Sequence, residues 1–444
     1  MSANPILHIK DSYYFDVPKT FWRADHESPT AMVNALGGWT VRNDSDYQEW
    51  EADKLVAAAR EIVGDQKALD SAKAAWKEWQ HAEELHHGRP FDQYVHDAVE
   101  ELRSTAAKWA DGKETSDPAQ TYLAENPDPQ LSWMHTMLND DEMRSSWQTV
   151  TKELNKRETL DTYLESDRGQ WSEEKVAEYN EHLSGKVFIP QPFATLRNAY
   201  ETESGLGISR YMIIEVVVAI IIFLVFTWLA GKIKDGGAPK GKIWNLLESF
   251  LTFLKTEVVE QGIEPHDSPK FLPLFWTIFM FIVGCNLMGM IPWVGSPTAA
   301  LAVTAVLAII VFAVGTFCGV KKFGVAGYLK NLCPELGLPL YMAVIVVPMV
   351  WVIEFASLFI KHFILAVRLL ANMAAGHLVL LGVMGLAFGV HAYSLSAPAW
   401  GGLSVLVILG TTLLSFMELF VAFLQAYVFT LLASLFVGAA THHH

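Results

Sequence analysis

The sequence predicts an all-α protein that crosses a membrane several times and carries a mostly helical soluble domain ahead of its membrane part. Residues 1–205 hold 38 acidic and 21 basic residues, a net charge of −17, whereas residues 206–444 hold 10 acids and 12 bases. The second part also contains apolar stretches of the length that a membrane helix needs, about 20 residues. We therefore predict an acidic extramembrane region at 1–205 and a membrane domain at 206–444.

Runs without charge define the membrane helices. Residues 211–231 contain Glu215 as their single charge, and residues 271–320 contain none but break at a turn with Pro and Gly. The predicted helices are 209–231, 271–292, 298–320, 338–386 and 401–440. The fourth has 49 residues and would reach roughly 70 Å, far more than the hydrocarbon core of about 30 Å. The last two helices are therefore predicted to form a long, tilted hairpin.

Lysines in the short loops predict the orientation, because cytoplasmic loops are rich in Lys and Arg. Lys232, Lys234, Lys240 and Lys242 follow the first helix, and residues 321–330 contain three lysines. The turns at 292–298 and 387–400 contain none. The N-terminus is thus predicted outside and the C-terminus inside. Residues 243–263 have helical apolar spacing with charges between, which predicts an amphipathic helix on the inner surface.

The acidic region is predicted to be mainly helical. Two helices, 48–87 and 91–110, would form an αα-hairpin across Gly88-Arg89-Pro90. A further helical stretch is expected at 139–183. Residues 4–15 suggest a short strand, residues 116–129 a proline-rich turn region, and residues 188–193 an extended link. The apolar stripe of the hairpin would consist of Trp76, Trp79, Leu85, Val95, Val99 and Trp109.

For the other features of this region, ordinary structural explanations are favoured over binding functions. His81, His86 and His87 could hold a metal, but no second group of ligands is evident, so solvated surface residues are favoured and no metal site is predicted. Trp76 and Trp79 could stack on a ligand, although core packing is favoured. The acidic charge could concentrate cations, but it favours solubility and assembly. Nucleic acid is excluded as a partner because its phosphates require a basic surface.

Ionisable groups at membrane depth are costly, so each is a functional candidate. In the fourth helix, Glu354, Lys361 and Arg368 are spaced by seven and share one face. Glu354 and Lys361 could equally be interfacial anchors. Arg368 lies deep in the apolar run and stays charged, since its guanidinium does not lose its proton in proteins. The alternative for Arg368 is a structural pair with a buried carboxylate such as Glu418.

His377 lies nine residues beyond Arg368, about 180° around the helix, so the two should face opposite ways. Glu418 is the single carboxylate of the fifth helix, and Gln425 lies on the same stripe seven residues later. An imidazole can pass a proton near neutral pH. A fixed cation with His and Glu on neighbouring helices therefore indicates a proton path across the membrane.

The segment Arg368-Leu-Leu-Ala-Asn-Met-Ala-Ala-Gly-His377 resembles the signature of subunit a of F-type ATP synthases, the membrane stator that faces the rotating c-ring. The resemblance includes Asn286-Leu-Met-Gly-Met-Ile-Pro292 and ends at Gln425-Ala-Tyr-Val-Phe429. It covers about 206–441. Glu354 and Lys361 stand at matching distances before the arginine.

The resemblance implies that Arg368 faces the c-ring and separates two half-channels for protons. His377 and Glu418 would line the outer half-channel, with Asn286 near its wall. The implied partners are the c-ring, peripheral-stalk b subunits, other synthase subunits and the lipid of a bacterial inner membrane, with no cofactor. Two more residues would lie close to the arginine, Asn372 and Gln425.

This chain departs from some bacterial members of that family. Those carry Glu where this chain has His377 and His where it has Glu418, so the two residue types are exchanged, which suggests that they act as a unit across a contact. Gly289 stands where some members have Asp, so a polar wall of the outer half-channel is expected to be missing.

The resemblance also implies that the subunit is not catalytic, and the chain contains no Gly-x4-Gly-Lys-Ser/Thr phosphate loop. Two alternatives stay open. An autonomous ion-coupled transporter would usually show internal repeats, and none is evident. A membrane-anchored binding protein, with the N-terminal region as its working part, would not need Arg368 in the membrane.

Overall fold

The computed structural model describes residues 11–63, 66–82, 86, 88–110, 117–200, 202–233, 241–264, 266–291, 294–331, 340–388 and 396–441. The chain forms two compact units, one at Val17–Gly207 and one that combines Ile208–His444 with the start of the chain up to Asp16. We refer to them as the soluble unit and the membrane unit. The membrane unit begins again at Ile208, and residues 11–16 belong with it.

Helices dominate both units, as predicted. In the described part of the soluble unit they are α1 (Pro29–Leu36), α2 (Trp39–Arg42), α3 (Ser45–Val63), α4 (Gln66–Ala82), α5 (Phe91–Trp109), α6 (Pro118–Glu125), α7 (Pro129–Asn139), α8 (Asp141–Leu154), α9 (Arg157–Glu165) and α10 (Glu173–Leu183). The described residues also form four short strands, β1 (Tyr14–Asp16), β2 (Lys186–Phe188), β3 (Ala194–Leu196) and β4 (Thr202–Gly205), of which β1 belongs to the membrane unit.

The predicted single helix at 48–87 was wrong, because the chain forms two helices there, α3 and α4. Ion pairs join them in antiparallel order: Arg60 to Asp70 at 3.2 Å, near the turn, and Lys77 to Glu49 at 2.9 Å, near the far ends. Folding back lets both helices bury an apolar side, which one long exposed helix could not do. Residues 64–65 lie outside the described residues.

The predicted helix at 91–110 is confirmed as α5, and three residues of the predicted apolar stripe are buried, whereas Trp79 and Trp109 are half-buried. Trp76, Val95 and Val99 lie in the largest core cluster of the soluble unit, with Trp79 packed against it. The Trp79 ring also stacks on His86, with ring centroids 4.0 Å apart. The two tryptophans are therefore core residues. Leu85 and His87 lie outside the described residues, as do residues 4–10 of the predicted strand.

The proline-rich segment at 116–129 was predicted to be turn-like, but it contains α6 and the start of α7. Asp117 precedes Pro118, and its Oδ1 accepts hydrogen bonds from the backbone of Ala119 at 3.0 Å and Gln120 at 3.1 Å. Asp128, ahead of Pro129, caps α7 in the same way. Asp at the N-cap followed by Pro in the first turn is a helix start, which the sequence interpretation missed.

The helical stretch predicted at 139–183 is interrupted. It contains α8, α9 and α10, and breaks at residues 155–156 and 166–172. The extended link predicted at 188–193 does run between β2 and β3, but the chain then forms a small antiparallel hairpin, in which Ala194 pairs with Gly205. The periodicity of apolar residues in the sequence does not reveal short caps and strands of this kind.

Five helices in the described part of the chain are long and apolar enough to cross a membrane, as predicted. They are α11 (Arg210–Ile233), α13 (Ser268–Gly289), α14 (Leu301–Asn331), α15 (Leu340–Phe388) and α16 (Ala397–Thr441). The third extends 11 residues beyond the predicted end at 320 and breaks inside at Gly324, whose φ is 73°. Glycine has no Cβ, so it adopts this left-handed conformation readily.

The predicted amphipathic helix at 243–263 forms as α12 (Lys242–Leu254), a π-helical turn at Lys255–Val259 and a last turn at Glu260–Gly262. Its apolar side is buried in part: Leu254 and Val258 lie in the core of the membrane unit, whereas Ile243 and Leu246 are exposed. The Ser434 hydroxyl of α16 donates to the Val258 carbonyl at 2.8 Å. This segment is thus a structural part of the helix bundle.

Residues near the start of the chain bind to the beginning of the first membrane helix, α11. The Asp11 carboxylate accepts a hydrogen bond from the backbone N–H of Tyr211 at 3.2 Å, and the Arg210 N–H donates to the Ser12 carbonyl at 2.8 Å. The Arg210 guanidinium lies 3.5 Å from Asp16. Residues almost 200 positions earlier thereby satisfy the free N–H groups at the start of α11.

Candidate functional site

The long hairpin of α15 and α16 carries most of the predicted site. On α15, Leu365, Leu369 and Met373 are buried in the bundle, each about one turn from the next. Arg368 lies between them in sequence but on an exposed face of the helix. In the part of the chain that the structure describes, Arg368 has no ion pair and no hydrogen bond to its side chain, whereas its α15 neighbour Lys361 pairs with Glu354.

His377 and Glu418 form a contact between α15 and α16. The imidazole Nδ1 lies 3.2 Å from the carboxylate Oε1, and the side chains are 19% and 9% exposed. Glu418 therefore pairs with His377 and not with Arg368. The contact is not aligned as a hydrogen bond, and Oε1 of Glu418 and Nε2 of His377 have no hydrogen-bond partner among the described residues. Both groups keep capacity to exchange protons.

Gly376 makes room for this contact. A Cβ atom at position 376 would lie 3.0 Å from Oε1 of Glu418, which is tighter than ordinary packing. The absence of a side chain beside the histidine lets the carboxylate approach the α15 backbone. In the Gly376-His377 pair, the glycine is therefore needed for packing and the histidine for its chemistry.

Asn286 is the centre of a buried polar network at the end of α13. Its Nδ2 donates to the Ala422 carbonyl of α16 at 3.1 Å, and its Oδ1 accepts from the Thr298 hydroxyl at 2.6 Å. Thr298 contacts the Ser296 hydroxyl at 2.9 Å. All three side chains are almost completely buried. Since Ala422 lies one turn after Glu418, the network reaches within roughly 6 Å along the helix axis of that carboxylate.

Ser296 occupies the space beside Gly289. A Cβ atom at Gly289 would lie 2.4 Å from the Ser296 Cβ and 2.7 Å from its hydroxyl. Hydroxyl groups from the turn before α14 thus lie beside Gly289, a position at which the sequence analysis expected no polar group. Sequence reasoning missed Ser296 and Thr298. The only available signal was their place in a charge-free turn, after the Gly289 position.

Asn372 and Gln425 are not joined to the other site residues by hydrogen bonds. Gln425 is buried on the stripe of α16 that also holds Glu418, and Asn372 is half-buried on α15. Neither side chain has a hydrogen-bond partner among the described residues.

Glu354 and Lys361 form a separate polar site nearer the start of α15. Their side chains are 2.7 Å apart and partly exposed. They line a cavity of about 90 Å³ together with Tyr328, Asn331 and His362. His362 is buried, and its Nδ1 lies 2.8 Å from the Leu358 carbonyl. The sequence analysis did not single out His362, since a lone histidine in an apolar helix gives a weak signal.

The membrane unit is similar in sequence to known proteins. The profile of the family described as "ATP synthase A chain" matches residues 212–438. "ATP synthase subunit a" of Chloroherpeton thalassium is 35% identical over 275 residues, which cover 61% of this chain and 78% of the relative. The protein of the same name from Myxococcus xanthus is 36% identical, covering 54% and 75%. The one from Anaeromyxobacter dehalogenans strain 2CP-1 is 41% identical, covering 48% and 52%.

Proposed function

Because the chain belongs to the family of F-type ATP synthase subunit a, we propose that its membrane unit is the stator that carries protons to and from the carboxylates of a c-ring. The chemistry of ATP then belongs to partner subunits, and this subunit is not catalytic. The partners are the c-ring, the peripheral-stalk b subunits and the other subunits of the complex. The membrane is the inner membrane of a bacterium.

The observation that carries the proposal is the environment of Arg368. A permanent cation within an apolar helix is expensive unless an anion compensates it. The described part of the chain offers Arg368 no carboxylate, and Glu418, the buried candidate, contacts His377 instead. We infer that the counter-charge comes from another chain, since a c-ring carboxylate that passes this exposed face would supply it.

The role of the arginine follows from electrostatics. A carboxyl group in a low-dielectric membrane favours its neutral form, and a nearby cation favours the ionised form. A c-ring carboxyl group arriving at Arg368 would release its proton, and on moving away it would take up another. Since the guanidinium keeps its own proton, it would block direct passage between the two half-channels. A potential of 100 mV supplies about 2.3 kcal/mol per charge for this cycle.

One half-channel would follow the polar groups that connect α13, α15 and α16. Ser296, Thr298 and Asn286 would lead from the end of α13 toward Glu418 and His377. The imidazole and carboxylate have open hydrogen-bonding positions, which suits a pair that receives and passes on protons. The lysine-poor loops at this end support an outer location, with the N-terminus outside and the C-terminus inside.

The other half-channel would open near Glu354 and Lys361, at the end of the bundle where lysines are frequent. Their exposed pair and the small cavity beside His362 place polar groups there. Asn372 and Gln425 would lie close to the arginine and orient it when the c-ring is present.

The proposal is tested by proton pumping in reconstituted complexes that carry Arg368→Ala or Arg368→Lys. Loss of ATP-driven pumping in assembled complexes with Arg368→Ala is expected, with Arg368→Lys also impaired because a lysine can lose its proton in an apolar site. Lys322→Ala, an exposed cation on α14, is the control and should pump normally. Normal pumping by Arg368→Ala would overturn the assignment in favour of a transporter or an anchored binding protein.

A further inference from the structure

The soluble unit contains a cleft that the function of the membrane unit does not use. Its volume is about 550 Å³, and it lies between α2, the start of α9 and the chain from β2 to β3. Sites for small organic ligands usually measure about 300–1,000 Å³ and combine an apolar lining with a few polar groups. The cleft has the size of such a site.

One part of the cleft is aromatic and rigid. The Trp39 and Phe188 rings lie with their centroids 4.7 Å apart, and Leu160 packs below them with 1% exposure. The Trp39 indole N–H donates to the Leu36 carbonyl at 2.7 Å, which fixes the ring. Trp22 lines the cleft too and is 50% exposed, so it forms part of the mouth. The planes of the Trp39 and Phe188 rings are tilted by 48° relative to each other, and the rings offer an apolar surface to a ligand body.

The other part of the cleft is positively charged. Its lining includes Arg42, Arg157 and Lys186, while none of the described lining residues is Asp or Glu. This is unusual in a region where acids outnumber bases 38 to 21. Neighbours hold the two guanidinium groups in place: Arg42 donates to the Asn155 carbonyl, and Arg157 donates to Asp161 and to Asn34, both at 2.8 Å. Asp161 offsets part of the charge of Arg157, and the net charge of the cleft comes from the other two cations as well. Preorganised cations lower the cost of binding an anion.

We propose that this cleft binds a small amphipathic anion. An aromatic or aliphatic body would lie against Trp39 and Phe188, and a carboxylate or phosphate would face the three cations. Guanidinium and ammonium groups donate charge-assisted hydrogen bonds to either head group. The inference concerns the soluble unit alone and does not depend on the proposed function of the membrane unit.

The binding test uses the full chain within its complex in lipid nanodiscs. Calorimetric titration with 2-naphthoate and 2-naphthyl phosphate should each give saturable binding, after subtraction of empty nanodiscs to remove partition into lipid. The neutral 2-naphthalenemethanol and the cationic 2-naphthylmethylammonium should bind at least about tenfold more weakly. The stronger of the two anions identifies the head group. Equal binding of the neutral probe, or no saturable binding of either anion, would refute the proposal.

Variants locate the site. Arg42→Gln combined with Lys186→Gln should weaken binding of the anion at least about tenfold and leave the neutral probe unchanged. Arg168→Gln, an exposed cation paired with Asp53, is the matched control. Because charge variants could disturb folding, Ala35→Trp at an exposed lining position offers a second route, since the added ring would fill the cleft. Anion binding that persists unweakened in Ala35→Trp and in the charge variant would contradict the assignment.

Discussion

The two units of this protein are both helical and both have an apolar core, but they differ in the side chains that they expose. The soluble unit has an apolar core around Trp76 and a charged surface. The membrane unit exposes Phe223, Ile309 and Phe416, while Asn286 and Glu418 are buried within it. In water, apolar burial drives folding. In lipid that driving force between helices is absent, so close packing and polar contacts hold helices together.

This comparison teaches where to look for function. In the soluble unit, the well-defined polar contacts at Asp117, Asp128 and Asp140 cap helices, which is a structural task. In the membrane unit, buried polar groups connect three helices and include an ion pair, which packing alone does not require. Polar contacts are thus structural in the soluble unit, whereas buried polar groups are the main sign of function in the membrane unit. Four changes test this contrast, from the largest expected effect to the smallest.

The largest effect is expected for Gly438→Ala, which tests close packing in the membrane unit. A Cβ atom there would lie 1.8 Å from the Gly262 carbonyl oxygen, so α16 must move away from the last turn after α12. We expect a loss of about 3 kcal/mol, seen as a smaller fraction of chains assembled into the complex.

Gly382→Ala is the matched control for this change, because nothing lies within 4 Å of its added Cβ. Alanine is favoured over glycine in a helix by about 1 kcal/mol, so assembly should be unchanged or improved. Equal assembly of the two variants would show that the contact between these two glycines does not matter.

An exchange of His377 and Glu418 tests whether their contact is functional. Each single variant, His377→Glu or Glu418→His, places two groups of one kind together and should lower proton flux by about tenfold or more. The double variant restores one imidazole and one carboxylate and should recover most of the flux, measured in reconstituted vesicles. Independent, additive losses in the double variant would argue against a coupled pair.

A smaller effect is expected at the helix caps of the soluble unit. Asp128→Ala removes two hydrogen bonds to the backbone at the start of α7, at 2.9 and 3.1 Å. The expected cost is about 1 kcal/mol, visible as faster hydrogen exchange in α7, with proton flux unchanged. Asp167→Ala, on an exposed loop, is the control and should leave α7 unaffected. Altered flux in Asp128→Ala would contradict a purely structural role.

The smallest effect is a pH dependence at His135. Burial lowers the pKa of this imidazole below its ordinary value of 6.5, and a 3.8 Å contact with Asp117 only partly offsets it. The unfolded chain therefore takes up the proton at higher pH than the folded chain. Stability of the soluble unit should fall as pH drops below about 6.5, and His135→Gln should flatten this dependence.

Hydrogen exchange of α7, corrected for the intrinsic effect of pH, measures this stability. His182→Gln, at an exposed position of α10, is the control and should keep the pH dependence. If the slope survives in His135→Gln, another group is responsible for it.

The sequence was sufficient for the five membrane helices because a span requires a long apolar run, which leaves few alternatives. It was also sufficient to select Arg368, His377 and Glu418, since charges are rare in such runs. It could not indicate that Ser296 would lie against Gly289, because that contact depends on how the chain turns between two helices.

In the soluble unit the limits of the sequence were different. The break between α3 and α4 and the caps at Asp117 and Asp128 are local signals of a few residues within a polar background. The pairing of Arg42, Arg157 and Lys186 around one cleft involves residues up to 144 positions apart. Only the packing of helices that are distant in sequence brings these three residues together. The periodicity of apolar residues within one helix carries no information about that packing.

The anchoring of Asp11–Asp16 on the start of α11 has a consequence for the origin of the soluble unit. The chain leaves the membrane unit after Asp16 and returns to it at Ile208, and hydrogen bonds and an ion pair hold these two parts of the membrane unit together. The entropy of closing a loop grows only slowly with its length, by about 0.6 kcal/mol per doubling. Once these contacts have formed, the stability of the helix bundle depends little on the number of residues between Asp16 and Ile208. A tight turn or a whole domain could therefore connect these two residues.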